Sequence, residues 1–216
     1  LNLSSLNIGI TGDYTVRSSE ELYTDYSMQS RLLRAYQDNC ENKKTLIFNN
    51  GINTSLYVYD TFRNAGYDIR HLDNKNTAAE RREILRWFKE TPGAVLTSVG
   101  ILTTGFDEPS VEAIILNRAT RSMTLYYQMI GRGSRIFGKK NEFTVIDLGN
   151  NVARFGLWEG FVDWDHIFRN PDAHLQSIRS DEEIQRSFKY KMPKEVRERF
   201  NKTEDISFDI GEAYDR

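Results

Sequence analysis

Short apolar runs alternate with helix-like spacing along the middle of the chain. Five runs have the length and the β-branched or aromatic content of strands, and they cover residues 45–49, 67–72, 94–97, 113–116 and 143–146. Strands that are buried on both faces appear in sequence as nearly continuous apolar runs. The pattern therefore predicts an α/β fold, with a parallel sheet sandwiched by helices.

Helical spacing fills the segments between these runs. The clearest start signal is Thr77-x-x-Glu80, a capping box in which two side chains satisfy each other's backbone N–H groups. Helices are predicted over residues 19–36, 52–65, 78–89, 181–190 and 193–200, and one more begins at Ser122 or Thr124 and carries Gln128 to Arg132. After residue 147 the sequence becomes aromatic and charged, which predicts a mostly helical extension.

Composition limits the chemistry more than it defines it. The 216 residues contain 29 Lys and Arg against 31 Asp and Glu, so no overall basic field attracts nucleic acid. Cys40 is the only cysteine, which excludes an intrachain disulfide and a cysteine zinc cluster. The histidines show no metal-ligand spacing, so no metal site is predicted in this chain. No apolar run is long enough to cross a membrane, and a cytoplasmic location is expected.

Three motifs follow one another in a fixed order. The first is the apolar run ending in Asn49-Asn50 before Gly51, and the second is VLTSVGILTTGFD, which ends at Asp107. The third is Q-x-x-G-R-G-x-R, from Gln128 to Arg135, at the end of a predicted helix. The planar guanidinium group of arginine can make two parallel hydrogen bonds to phosphate oxygens. An arginine from one domain can also stabilise the transition state of phosphoryl transfer from a nucleotide bound on another domain.

In order and spacing, these motifs resemble motifs IV, V and VI of the second RecA-like domain of superfamily 2 helicases and translocases. The resemblance covers roughly residues 45–148 and is nearest to DNA-repair and restriction-type helicases. It implies a lead-in helix or linker from an absent first RecA-like domain over residues 1–42. The RecA-like domain itself would cover residues 43–149, and a helical extension would cover residues 150–216.

The resemblance also implies a role for each matching residue. Arg132 and Arg135 would face the nucleotide phosphates, with Arg135 as the arginine finger, and Gln128 would help to orient the site. Asp107 would accept a hydrogen bond from the ribose. The remaining residues implied are Gly105 and Gly131 beside the nucleotide, and Asn49, Asn50, Gly51, Thr97, Ser98 and Gly100 along the backbone of a bound strand.

Two expected parts of an ATP site are missing from the sequence. There is no G-x-x-x-x-G-K-[ST] phosphate loop, and no buried strand ends in an acidic pair that would hold magnesium. We therefore expect ATP and Mg²⁺ to be held mainly by the N-terminal RecA-like domain of the same polypeptide, and the isolated chain to be inactive. The other expected partners are DNA, with RNA left open, and a nuclease or repair subunit; no membrane is expected.

Other interpretations stay open from the sequence. The chain could be a non-catalytic RecA-like module that binds a strand or a protein, and a small doubly wound enzyme is disfavoured because no G-x-G-x-x-G follows a strand. Asp107 could be an ordinary turn former, and Thr97-Ser98 could be a strand end meeting a turn. The lysine pairs at residues 43–44 and 139–140 are predicted to be solvated.

Overall fold

The computed structural model describes residues 3–100, 102, 107–135, 137–138, 140 and 142–191. Within these residues, five parallel strands form one sheet in the order β2-β3-β1-β4-β5. The strands are β1 (Thr45–Asn49), β2 (Ile69–Leu72), β3 (Val95–Val99), β4 (Ala113–Asn117) and β5 (Thr144–Asp147). Each predicted strand is present, with its ends within two residues of the prediction.

Helices cover both faces of this sheet. Their bounds are α1 (Val16–Tyr23), α2 (Tyr26–Cys40), α3 (Ile52–Asn64), α4 (Ala78–Glu90), α5 (Met123–Ile130), α6 (Asn151–Phe155), α7 (Trp164–Arg169), α8 (Pro171–Ser177) and α9 (Asp181–Lys191). The capping box at Thr77 and Glu80 is formed and begins α4, as predicted. The helix predicted over residues 193–200 lies outside the described residues.

The prediction of a single helix over residues 19–36 is wrong, because the segment forms two helices, α1 and α2. Thr24 Oγ1 donates to Glu20 O at 2.7 Å and closes α1. The Asp25 carboxylate then accepts from Ser27 N at 2.9 Å and begins α2. Short polar side chains that bond to nearby backbone groups favour such helix ends, whereas apolar spacing alone does not reveal them.

Alternate residues of the central strands enter two separate cores. Leu46 and Phe48 of β1 pack on one face with α4 and α5, whereas Ile47 packs on the other face with α2 and α3. Burial is complete along β1 and β4, since every residue of both strands is buried. This confirms the predicted sandwich, and it places α2, from the segment predicted as a lead-in, inside the second core.

The two ends of the described chain meet in a third apolar cluster. Leu3, Leu6 and Tyr14 from the beginning pack with Ala119, which follows β4, and with Ile184 of α9. A polar network lies beside it: Tyr14 Oη donates to Asp181 at 2.6 Å, and Arg154 of α6 contacts the same carboxylate. The beginning of the chain and the C-terminal extension are thus joined at the end of β4.

Candidate functional site

The predicted arginines lie on a tight turn at the end of α5. Gly131 N donates to Tyr127 O at 2.9 Å, and Gly133 N donates to Ile130 O at 2.9 Å, so the helix tightens before it stops. Ser134 Oγ adds a bond to Gly131 O at 3.2 Å. Gln128 lies in the last full turn of the helix, and the side chains of Arg132 and Arg135 leave the turn that follows.

The glycine between the two arginines is required by packing. A Cβ atom on Gly133 would lie 2.7 Å from the ring of Phe143 and 2.9 Å from a side-chain carbon of Ile114. Ile114 is the second residue of β4, and Phe143 immediately precedes β5. The arginine turn is therefore held against the sheet near the amino-terminal ends of these two strands.

Asp107 and Arg135 form an ion pair. The side chain of Asp107 is 73% exposed and that of Arg135 is 39% exposed, so both groups stay accessible from solvent. The structure thus brings together the end of the second motif and the end of the third, which are predicted to face one nucleotide. Gly105, predicted to lie beside them, is outside the described residues.

The predicted strand-contact residues lie at the opposite, carboxyl-terminal edge of the sheet. Asn49 Nδ2 donates to Thr97 Oγ1 at 2.8 Å, and Asn117 Nδ2 donates to Asn49 Oδ1 at 2.8 Å. The side chains of Asn49, Thr97 and Ser98 expose 1% or less of their surface. These side chains tie β4, β1 and β3 together, and the predicted contact with a nucleic-acid backbone stays a prediction at these positions.

The same hydrogen-bonded row continues to β2. Ser55 Oγ of α3 lies 2.8 Å from Thr97 Oγ1 and 2.8 Å from His71 Nδ1, and His71 Nε2 lies 3.2 Å from the Asp73 carboxylate. Serine, histidine and aspartate in this order resemble a hydrolytic triad. Ser55 is, however, completely buried and already bonded to Thr97, so no substrate reaches it. The row connects four strand ends.

Asp73 is the acidic end of this row. Its burial alone would raise the pKa of the carboxyl, but hydrogen bonds from His71 and from the backbone N–H of Lys75 outweigh that effect. The pKa of Asp73 is consequently held below its ordinary value, so the carboxylate is charged at neutral pH. A charged partner keeps His71 oriented towards Ser55.

A carboxylate from α1 occupies the amino-terminal end of α3. The Glu20 side chain accepts from Asn53 N and from Asn53 Nδ2, both at 2.9 Å. Unpaired N–H groups and the helix dipole favour a negative group at such a position. Gly51 immediately precedes this helix, and a Cβ there would lie 2.2 Å from the Glu20 carboxylate. Asn50, beside it, donates to Ser19 Oγ at 2.8 Å.

An open cavity lies next to this carboxylate. It has a volume of about 470 Å³ and lies at the carboxyl-terminal ends of β1 and β3. Its lining includes Val16, Asn50, Gly51, Asn74 and Gly100. Gly100 has a φ of 70°, a left-handed conformation that glycine adopts without a Cβ penalty. Asn50, Gly51 and Gly100 were predicted to contact a nucleic-acid strand, and of the residues so predicted they are the ones that line this open cavity.

Asp147, at the end of β5, is a residue whose role the sequence analysis missed. Its carboxylate accepts from Val152 N at 2.7 Å, Asn151 Nδ2 at 2.8 Å and Gly149 N at 3.0 Å. Burial raises the pKa of Asp147, and these donors oppose the increase. Asn151 also donates to Arg118 O at 2.9 Å, so the loop after β5 is fixed to the loop after β4. A D-x-G-x-N pattern directly after a strand was the available signal.

The prediction of solvated side chains is wrong for Lys44 and Lys140. Lys44 is 6% exposed, and its ammonium donates to Lys89 O at 2.7 Å, at the end of α4. Lys140 donates to three backbone carbonyl groups. Paired lysines in a sequence look like solvent-exposed charge, whereas a long stem and a three-donor head also suit a buried cluster of carbonyl groups.

In the described part of the chain, no three His, Cys, Asp or Glu side chains come together as a metal site. None of the helices there combines the length and the apolar character that a bilayer crossing requires.

The five-stranded parallel sheet with helices on both faces is the RecA-like α/β fold of helicase C-terminal domains. The family model for the helicase conserved C-terminal domain matches residues 27–137. The chain belongs to this helicase C-terminal domain family.

Relatives support the same placement. The protein irc3 of Schizosaccharomyces pombe, assigned by its name to the mitochondrial ATP-dependent helicases, is 32% identical over 125 residues, which are 57% of this chain and 21% of that protein. A type I restriction enzyme EcoKI endonuclease subunit of Escherichia coli is 30% identical over 105 residues, 49% of this chain and 9% of that protein. The chain thus spans less than a quarter of each of these relatives.

Solved structures share the fold. A fragment assigned as an HsdR subunit of a type I restriction enzyme from Vibrio vulnificus aligns with a TM-score of 0.55 and 22% identity, over 68% of this chain and 31% of the other. Domain 2 of the DEAD-box helicase Mss116p, bound to an RNA duplex, aligns with a TM-score of 0.50 and 14% identity, over 74% of this chain and 67% of the other.

Proposed function

We propose that this chain is the C-terminal motor domain of an ATP-dependent helicase or translocase. It would complete an ATP site that it shares with an N-terminal RecA-like domain of the same polypeptide. The single observation that carries the proposal is the meeting of Asp107 with Arg135 on accessible surface. A cation and a hydrogen-bond acceptor at one point suit the phosphates and the ribose of one nucleotide.

The charges available in this chain suit ATP better than they suit its metal. Arg132 and Arg135 offer donors for phosphate oxygens, and charge in the transition state of phosphoryl transfer is stabilised by such groups. Mg²⁺ requires carboxylate or water oxygens, and Asp107 already has a cation beside it. Mg²⁺ and the phosphate cradle would therefore come from the N-terminal domain, with Gln128 and Gly131 shaping the arginine turn.

The strand-binding part of the proposal concerns the opposite edge of the sheet. Gly51 and Gly100 line the open cavity there, and Asn50 stands beside them. Backbone N–H groups can position a phosphate chain without reading its sequence. We propose that a nucleic-acid strand crosses this edge and contacts backbone N–H groups of the protein. The buried Asn49, Thr97 and Ser98 would keep the ends of the β-strands in register.

DNA is the proposed substrate. The matched relatives that are 30% or more identical include a restriction endonuclease subunit, whereas RNA helicases such as that named DBP4 in Kluyveromyces lactis match at 25% identity. A nuclease or repair subunit is proposed as a further partner on the same ground. The cytoplasmic location stays a prediction, since one relative is named as mitochondrial.

The test compares the chain alone with the chain joined to the N-terminal portion of its parent. ATP turnover is measured without nucleic acid and with single-stranded DNA, duplex DNA or RNA. We expect turnover only in the joined protein and stimulation by DNA. Stimulation by RNA alone would overturn the choice of substrate, and metal-dependent turnover by the isolated chain would overturn the shared site.

Arg135→Ala provides the matched test of the arginine finger. An arginine finger contributes about 10³–10⁵-fold in rate, so turnover by the joined protein should fall by that order. Arg63→Ala is the control, because Arg63 is exposed on α3 and its guanidinium donates to Tyr59 Oη of the same helix at 3.0 Å. Turnover that persists within about tenfold in Arg135→Ala would leave the non-catalytic binding module as the better interpretation.

A further inference from the structure

The ammonium of Lys140 is surrounded by backbone carbonyl groups. Its Nζ donates to Val111 O at 2.7 Å, Gly133 O at 2.8 Å and Pro109 O at 2.9 Å. An ammonium group has three donors and no acceptor. Each donor of Lys140 therefore has one carbonyl oxygen at hydrogen-bonding distance, and its bonding capacity is filled.

The three carbonyl groups belong to the two segments that carry the nucleotide-facing residues. Pro109 and Val111 lie between Asp107 and the first residue of β4, whereas Gly133 lies between Arg132 and Arg135. One charged group thus bonds to both segments within a few residues of the Asp107–Arg135 ion pair. We call these contacts the Lys140 clamp.

Local structure brings Lys140 back to this point. Lys140 N donates to Phe137 O at 2.9 Å, and the two residues form an antiparallel bridge. Gly138 between them has a φ of 55°, the left-handed conformation that a tight turn requires. Burial lowers the pKa of the Lys140 ammonium, and the nearby Glu112 opposes that shift and favours the charged form.

We propose that Lys140 is a positioning residue that holds Asp107 and Arg135 in register at the nucleotide. The inference rests on the proposed function, because it assigns Lys140 to the same shared ATP site. Its donors all point at backbone oxygens, so Lys140 itself does not bind the nucleotide. It acts on the reaction through the turn that carries Arg132 and Arg135.

Lys140→Met tests the clamp in this 216-residue chain. Methionine keeps most of the unbranched apolar stem but has no donors. Hydrogen exchange followed by NMR or mass spectrometry measures protection at Arg132 N and Gly133 N, which donate to Met129 O and Ile130 O. We expect exchange at these two N–H groups to accelerate about tenfold or more relative to the unaltered chain, while exchange in β1 and β3 stays the same.

Lys44→Met is the matched control for the clamp. Lys44 likewise lies near the amino-terminal end of the sheet and bonds to a backbone carbonyl group, but its ammonium donates to Lys89 O and lies 5.5 Å from the ring centre of Phe88. Lys44→Met should lower the melting temperature without accelerating exchange at Gly133 N. Equal acceleration in both variants would mean a general loss of stability and would overturn the proposal.

A second measurement links the clamp to the reaction. In the joined protein, Lys140→Met should lower kcat for ATP by about tenfold or more and leave KM within about twofold, since the arginine turn acts chiefly in the transition state. Faster exchange with an unchanged kcat would overturn the positioning role. If the unaltered joined protein shows no turnover, the proposed function fails, while unchanged exchange in Lys140→Met would independently show that no clamp exists.

Discussion

The Asp107 carboxylate and the Arg135 guanidinium pair with each other across two loops that are far apart in sequence. Both side chains are well exposed, and exposed ion pairs contribute only about 0–1 kcal/mol to stability. The pair is therefore weak enough for the proposed nucleotide to displace it, and Arg135 stays accessible from solvent.

Replacing Asp107 separates binding from folding. Asp107→Ala should change the free energy of unfolding by no more than about 0.5 kcal/mol, because the lost pair is exposed. In the joined protein it should weaken ATP use about tenfold or more in kcat/KM, the range for a lost hydrogen bond to a substrate hydroxyl. Urea unfolding and steady-state kinetics measure the two effects.

The control for this variant is Asp165→Ala. Asp165 also forms an exposed pair, with Arg169 at 3.1 Å, but on α7 and outside the proposed site. It should leave both quantities unchanged. Equal kinetics for Asp107→Ala and Asp165→Ala would assign Asp107 to the ordinary turn that the sequence also allows.

Gly133→Ala should destabilise the domain by steric conflict. The added Cβ would lie 2.7 Å from Phe143 and 2.9 Å from Ile114, and the latter is anchored in β4. Forcing a methyl group into a packed position costs about 1–3 kcal/mol. Gly9→Ala is the control, because its Cβ would make only an ordinary contact at 3.4 Å with Thr15. Equal midpoints of urea unfolding for the two variants would contradict the packed arrangement at Gly133.

Asn49→Ala tests the structural role of the strand-end row. The change leaves Asn117 Nδ2 without its buried acceptor, and it removes one of the two bonds of Thr97 Oγ1, which keeps Ser55 Oγ. A buried polar group without its partner costs about 1–3 kcal/mol, and that loss should appear in urea unfolding. Asn39→Ala, on the exposed face of α2, should stay within about 0.5 kcal/mol. A loss no larger in Asn49→Ala would show that the row does not stabilise the fold.

Cys40 should report unfolding through its thiol. Burial raises its pKa from 9.0 to about 11, although Lys43 opposes the shift, so iodoacetamide should react slowly at pH 8 unless urea is added. A raised pKa means that the thiol favours the folded state below pH 9 and that this contribution is lost as the pH rises towards 11. Cys40→Ala should remove that part of the pH dependence. Rapid alkylation of the native chain at pH 8 would contradict the burial.

The apolar pattern predicted most of the sheet because local burial and strand length govern it. The five strands, the capped start of α4 and the parallel arrangement are confirmed. The break between α1 and α2 was missed, since Thr24 and Asp25 act through side-chain bonds to the backbone that apolar spacing does not record. The same limit explains the errors at Lys44 and Lys140, whose partners are backbone carbonyl groups with no signature in sequence.

The sequence by itself determined the fold class and the order of the three motifs, because both depend on which residue types follow one another. Through its resemblance to a helicase family, it also predicted that Arg132, Arg135 and Asp107 face one nucleotide. Only the tertiary structure decided that Arg135 and Asp107 meet on accessible surface while Asn49 and Thr97 turn inward. Those outcomes depend on how strands and loops from distant parts of the chain pack together, and a residue's type does not reveal which neighbours packing will give it.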